Sequence, residues 1–152
     1  MKDTAFITSI LALRCWQDGK DDGLNGMLGV AFTVRNRVRA GWYGGNWLEV
    51  LAHMPDVSNK LETPSNELPD TRNFSFMQFM QMVDGIFSGA MEDNITIKPD
   101  GEWKYVLSVA PPVALYYGRL HEITNPWFME NITRKSEQHQ RIAQVGQIFF
   151  FT

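Results

Sequence analysis

The chain has 152 residues, 44% of them hydrophobic and 20% charged, the make-up of an ordinary globular protein able to bury one sizeable core. Fourteen basic against seventeen acidic residues leave a net charge of −3 without a basic run, which excludes a phosphate-neutralising nucleic-acid surface. The single cysteine, Cys15, excludes an intrachain disulfide, and no Cys and His cluster has zinc spacing, so no structural metal is expected.

The first apolar run, AFITSILAL, lies between Lys2-Asp3-Thr4 and Arg14. It is too short for a membrane span and lacks the small-residue cleavage site of a secretory leader, so it reads as a core helix and no membrane insertion is expected. Phe6, Ile7, Ile10, Leu11 and Leu13 fall at helical spacing, with Thr4 available as cap. The helix is expected to end near Trp16, because Asp18-Gly19 is a turn dipeptide. Leu24, Met27, Leu28, Ala31, Val34 and Val38 then mark a second helix. Gly26 and Gly29 within it cost roughly 1 kcal/mol each against alanine, a loss that close approach of a neighbouring helix would offset.

GWYGGNW, residues 41–47, is a glycine-punctuated aromatic turn leading into a short helix, Trp47 to Met54, stopped by Pro55. Prolines at 64 and 69 predict an irregular excursion over 55–71. A third long helix is expected from about Asn73 to Ala90, with Phe76, Met77, Met80, Val83 and Phe87 on its inner face. ALYYGRL at 114–120 and QVGQIFFF at 144–151 have strand composition, and PWFMENITRK between them reads as a short helix or an extended arm. The expected architecture is α+β: one domain over 1–152, with a mainly helical body and a small C-terminal antiparallel β element. Both N-I-T sequons, at Asn94 and Asn131, lack a secretory context and are not expected to carry glycan.

The chemistry concentrates in CWQDGKDDGLNG, where three aspartates crowd a short turn between helices. A calcium loop would match at Asp18, Asp22 and Gly23, but Lys20 and Gly29 fall where ligands belong and dispose of it. Helix punctuation is the plain alternative, and the preferred one for Asp22, whose carboxylate would cap the second helix. A general acid is the third: a carboxyl at a helix end beside an apolar ring such as Trp16 can protonate a glycosidic oxygen.

The order of motifs goes further than any one of them. A helix, an acidic turn and then GMLGVAFTVRNRV, Gly26 to Val38, resembles the cell-wall hydrolases of the SleB type, which cleave peptidoglycan. WYGGNWLEVL, VALYY, NPWF and VGQIFFF resemble that family's later blocks in the same order, so that the similarity covers about residues 10–151. The resemblance implies a lysozyme-like fold and a lytic transglycosylase acting on peptidoglycan glycan strands with one carboxylate and no cofactor. It places the catalytic glutamate of the family's G-E-A-R-G-E motif on Asp18 and its second acid on Asp22. Trp16, Trp42, Tyr43 and Tyr117 would contact sugar; His121 and Glu122, which follow the ALYY strand, either face the cleft or, the plainer reading, form an exposed polar pair in a turn.

The departures define the rival expectation. Asp18 is one methylene shorter than glutamate, and the histidine of the family's closing strand is Ile148. The family's cysteine and tryptophan segment after the third helix is replaced by the 55–71 excursion. A catalytically degenerate, glycan-binding or structural protein, with phage virion proteins as partners, fits these changes. In the absence of a leader, access to the cell wall would come through phage release or carriage in the particle.

Other polar residues have local readings. Tyr116 and Tyr117 must point to opposite faces of a strand, so at most one lines a groove. Asn36 reads as a buried hydrogen-bonding strut supported by Arg37, His53 as a helix-end residue and His139 as solvated.

Overall fold

The computed structural model describes residues 2–53, 68–91, 96–97, 104–105, 113–135 and 137–152. Helix α1 spans Lys2–Gly19 and α2 spans Gly23–Arg39, joined by one 3-10 turn, Lys20–Asp22. Trp42–Gly45 forms a second such turn before α3, Trp47–Ala52. Helices α4, Phe74–Met80, and α5, Val83–Ser88, follow. Thr96–Ile97 and Lys104–Tyr105 pair as a minimal antiparallel ladder, β1 and β2. Strand β3, Tyr116–Gly118, short helices α6, Leu120–Ile123, and α7, Pro126–Phe128, and strands β4, Arg141–Val145, and β5, Ile148–Phe151, complete the chain. The fold is α+β, mainly helical, with a three-stranded antiparallel sheet at the C-terminus in the order β3-β5-β4.

The first helix runs longer than its sequence suggests. It passes through Asp18 and stops only after Gly19, because its far end is held by tertiary contact rather than by local turn preference. Thr4 lies inside the helix, where its carbonyl accepts the Thr8 hydroxyl, so it is not the cap. Leu11, Ala12, Cys15 and Trp16 face the core, while Phe6 is exposed.

Helix α2 is the axis of the molecule. Every residue from Gly26 to Arg37 is buried, so the stripe expected on one face underestimates a helix covered all round. A Cβ on Gly26 would sit 2.5 Å from the Gly19 carbonyl oxygen, so α1 and α2 touch backbone to backbone, as the glycine there predicts. The neighbour of Gly29 is not a helix: a Cβ there would meet the Phe150 ring at 2.6 Å, a strand side chain seated in the notch.

The helix expected over 73–90 is two helices, broken at Gln81–Met82, where the backbone tightens to bonds onto the Gln78 and Phe79 carbonyls. Its buried residues are Phe76, Phe79, Val83 and Ile86, while Met77 and Met80 are exposed. Asn73 caps α4 by accepting the Phe76 amide. The short helix from Trp47 ends at Ala52; its expected last residue Met54, its stop at Pro55 and the excursion as far as residue 67 lie outside the described residues, as does Asn94.

The C-terminal segment is a hairpin rather than one strand. Gly146-Gln147 closes β4 onto β5, with Gly146 at φ 55°, the backbone a tight two-residue hairpin requires. Alternation along β5 explains its unbroken apolar run. Ile148 and Phe150 face the helical body, and Phe149 and Phe151 face a second cluster of Ile123, Phe128 and Ile132, so both faces are covered. PWFMENITRK is helical, α7 followed by a π-helical turn, Met129–Thr133. None of the described helices is long and apolar enough to cross a membrane.

One backbone conformation stands out. Tyr43 has φ 52° and ψ 39°, the left-handed region, which costs a non-glycine residue roughly 1–2 kcal/mol. Gly41, Gly44 and Gly45 around it also have positive φ.

Candidate functional site

The three-aspartate turn lies where the helical body meets the sheet. Asp18 occupies the last turn of α1, and its side chain is 3% exposed. Its Oδ2 is 3.1 Å from Arg14 Nε, one helical turn back, and accepts a 2.5 Å hydrogen bond from the Tyr117 hydroxyl on β3. The i, i+4 spacing puts Arg14 over Asp18, and strand alternation turns Tyr117 inward. Cys15 lies beside the pair; burial, and secondarily the Asp18 charge, push its thiol well above the ordinary value, against a smaller lowering by Arg14.

Asp22 does not cap α2. No side-chain cap bond forms there; Oδ1 instead accepts the Gln147 backbone amide at 2.9 Å, and Oδ2 lies 2.8 Å from Arg119 Nη2. The reason is steric: Gly146 brings the hairpin turn so close that its missing Cβ leaves the space in which the Asp22 carboxylate sits. Arg119 also donates to the Asp18 carbonyl at 3.1 Å. Two acids from the α1–α2 elbow thus fasten the ends of β3 and the β4–β5 turn.

The other expected site residues disperse. Trp16 packs edge-on against Phe76 in the core, and Tyr117 is 1% exposed, so neither ring has a face open to sugar; bulky rings at the helix–sheet seam are worth more as core than as cleft wall. Trp42 lies half buried between Arg37 and Tyr116. Tyr43 is 47% exposed and stacks on His53 with ring centroids 4.5 Å apart. His121 is exposed on α6, and Glu122 accepts the Arg119 amide to cap that helix. Asn36 is the strut its position suggests, donating to the Ala114 carbonyl, while Arg37 Nε donates to Leu115 beside it. His139 is not solvated; Nδ1 lies 2.8 Å from the Thr152 carbonyl oxygen and the ring meets Tyr116 edge-on.

Arg14, Arg119 and Gly146 complete the cluster without having been singled out in the sequence. The i, i+4 spacing to Asp18 is a usable signal for Arg14; the other two make contacts more than 100 residues away in the chain, which no local pattern encodes. Among the described residues no group of acids, histidines or cysteine is arranged to hold a metal. A surface cavity of about 310 Å³, lined by Arg134, Lys135, Glu137 and Gln138, shares no residue with the aspartate cluster. No protein-family model, curated protein or solved structure matches the chain.

Chemically, Oδ2 is engaged by the Arg14 guanidinium as an ion pair and by the Tyr117 hydroxyl as a hydrogen-bond donor, which ties the carboxyl to its neighbours. At 3% exposure it also has no path to a glycosidic oxygen without rearrangement. The cluster is arranged to hold, and the carboxylates are its fasteners.

Proposed function

We propose that the chain is a glycan-directed protein built on the SleB plan, in which the position of the catalytic acid serves structure: a peptidoglycan-binding or structural component, of the kind carried in a virion or tail. The observation that carries this reading is the engagement of Asp18 Oδ2 by Arg14 and Tyr117 in a water-excluded seam. The motif order supports the glycan as partner, and the loss of one methylene at the acid position agrees with loss of chemistry, since a displacement of about 1 Å can lower a rate on the order of 100-fold. The test is incubation of purified sacculi with the protein. Sedimentation with the sacculi without release of soluble fragments is expected; anhydro-muropeptides in the supernatant overturn the reading.

A second reading is favoured by one specific feature. Asp18 stands at a helix end against a small sheet, poorly hydrated and beside a phenol, as the general acid of a lysozyme-like lytic transglycosylase would. In that case a rotation away from Arg14 exposes the carboxyl. It then protonates the leaving oxygen and acts as base while the sugar's own hydroxyl closes the ring. Release of muropeptides by the wild type and its abolition in Asp18→Asn distinguish this reading from the first.

A further inference from the structure

The WYGG turn puts its two aromatic residues to opposite uses. Trp42 goes inward, against Arg37 and Tyr116, and anchors the turn. Tyr43 goes outward on a backbone conformation that glycine adopts freely and tyrosine does not. No burial offsets that choice, since the ring is half exposed. A strained, solvent-facing tyrosine held by three glycines is a residue displayed rather than one packed.

Among the described residues, a side chain at Gly41 or Gly44 would meet nothing within 4 Å. His53 from the end of α3 stacks on Tyr43 with the ring planes 24° apart. Its Nδ1 lies 2.9 Å from the Glu49 carbonyl oxygen, which can only accept, so Nδ1 donates there and ties the imidazole to the end of α3. The Glu49 carboxylate lies 3.6 Å from the same Nδ1 and is itself more than half exposed. His53 covers one face of the Tyr43 ring, so a pyranose lays its axial C–H bonds on the other face, with the imidazole and Glu49 backing the phenol from behind.

We propose that the Tyr43–His53 stack with Glu49 is a saccharide-binding site, taking one hexose of a glycan strand on the outer face of the Tyr43 ring. The proposal rests on the glycan-directed reading and locates it on the surface, away from the sealed aspartate cluster. The decisive variant is Tyr43→Gly, because glycine relieves the backbone strain and removes only the ring. Binding isotherms on purified sacculi, with thermal melts of the same samples, are expected to show a thermal midpoint not lowered and an affinity reduced about tenfold. His53→Ala is expected to weaken binding severalfold. If the wild type binds and Tyr43→Gly binds equally well, the site is overturned while the glycan-directed reading stands. Should Tyr43→Gly melt well below the wild type, Tyr43 serves the fold and His53→Ala decides, with unchanged binding overturning the site. If the wild type does not bind sacculi at all, the functional reading fails, and this site with it.

Discussion

The buried pair of Arg14 and Asp18 gives the sharpest test of the view that the acid position is structural. Their side chains are each 3% exposed, and Asp18 is also the acceptor of the Tyr117 hydroxyl. Removing one partner, by Arg14→Met or Asp18→Leu, leaves the other charge in the core with one partner fewer, which costs about 3–5 kcal/mol. Removing both together takes the buried charges away and leaves mainly a phenol without its acceptor, a loss of about 1–3 kcal/mol. The single losses would sum to about 6–10 kcal/mol, so the cycle is expected to show strong positive coupling, well above the ~0.5 kcal/mol scatter of independent sites. Adding Tyr117→Phe to the double variant should recover part of what remains. Urea unfolding followed by far-ultraviolet circular dichroism measures all four corners; in melting temperature each single variant should fall by at least 6 °C, at roughly 2–4 °C per kcal/mol for a chain of this size. Additive losses, or an Asp18→Leu variant as stable as the wild type, would refute the reasoning and return Asp18 to the list of free catalytic groups.

Three further outcomes follow from close approaches and burial. Gly26→Ala forces a methyl to 2.5 Å from the Gly19 carbonyl oxygen, and since both atoms are fixed by helix backbone, the loss should exceed 2 kcal/mol in the same unfolding assay, as in other overpacked sites costing about 1–3 kcal/mol or more. Gly146→Ala combines a positive φ with displacement of the Asp22 carboxylate; two-dimensional NMR should show the Gln147 amide losing its low-field shift, with stability lower by about 2 kcal/mol. Cys15 has its thiol raised, chiefly by burial, so the folded state keeps the proton that the unfolded chain loses near pH 9. Its contribution is therefore fully present below that pH and is lost as pH climbs through the raised folded value. The thiol should resist a disulfide-exchange reagent at mildly alkaline pH in the native protein and react on unfolding.

How far the sequence reaches depends on how local the deciding interaction is. Helix α2 and the aromatic turn after it are legible because periodicity and glycine placement encode them within a dozen residues. The register of the 73–90 segment is not, because two interleaved sets of apolar residues obey the same three-and-four spacing. The set chosen from the pattern held Met77 and Met80, and the structure buries Phe79 and Ile86 instead, the stiffer side chains that fill a core with fewer alternative rotamers. The hairpin hides for a different reason: β5, covered on both faces, lacks alternation, so QVGQIFFF reads as one run unless Gly146 is weighted as a turn. At the site, the placement of an acid at the end of α1 is legible, and so is Arg14 above it. That Asp22 faces a hairpin 125 residues away is not, and only that contact turns a presumed helix cap into a tie between layers.

Because α2 is enclosed on every side, the segments that enclose it come from both halves of the chain. Asn36 and Arg37 hold the Ala114 and Leu115 carbonyls 78 residues downstream, and Phe150 fills the notch at Gly29. A chain emerging from the ribosome therefore displays its most completely buried helix long before the strands that cover it exist. Such non-local closure slows folding and leaves a sticky intermediate. Truncation ahead of the C-terminal sheet should accordingly yield aggregates rather than a smaller native protein, and expression in cells should reward chaperones that shield the nascent N-terminal helices.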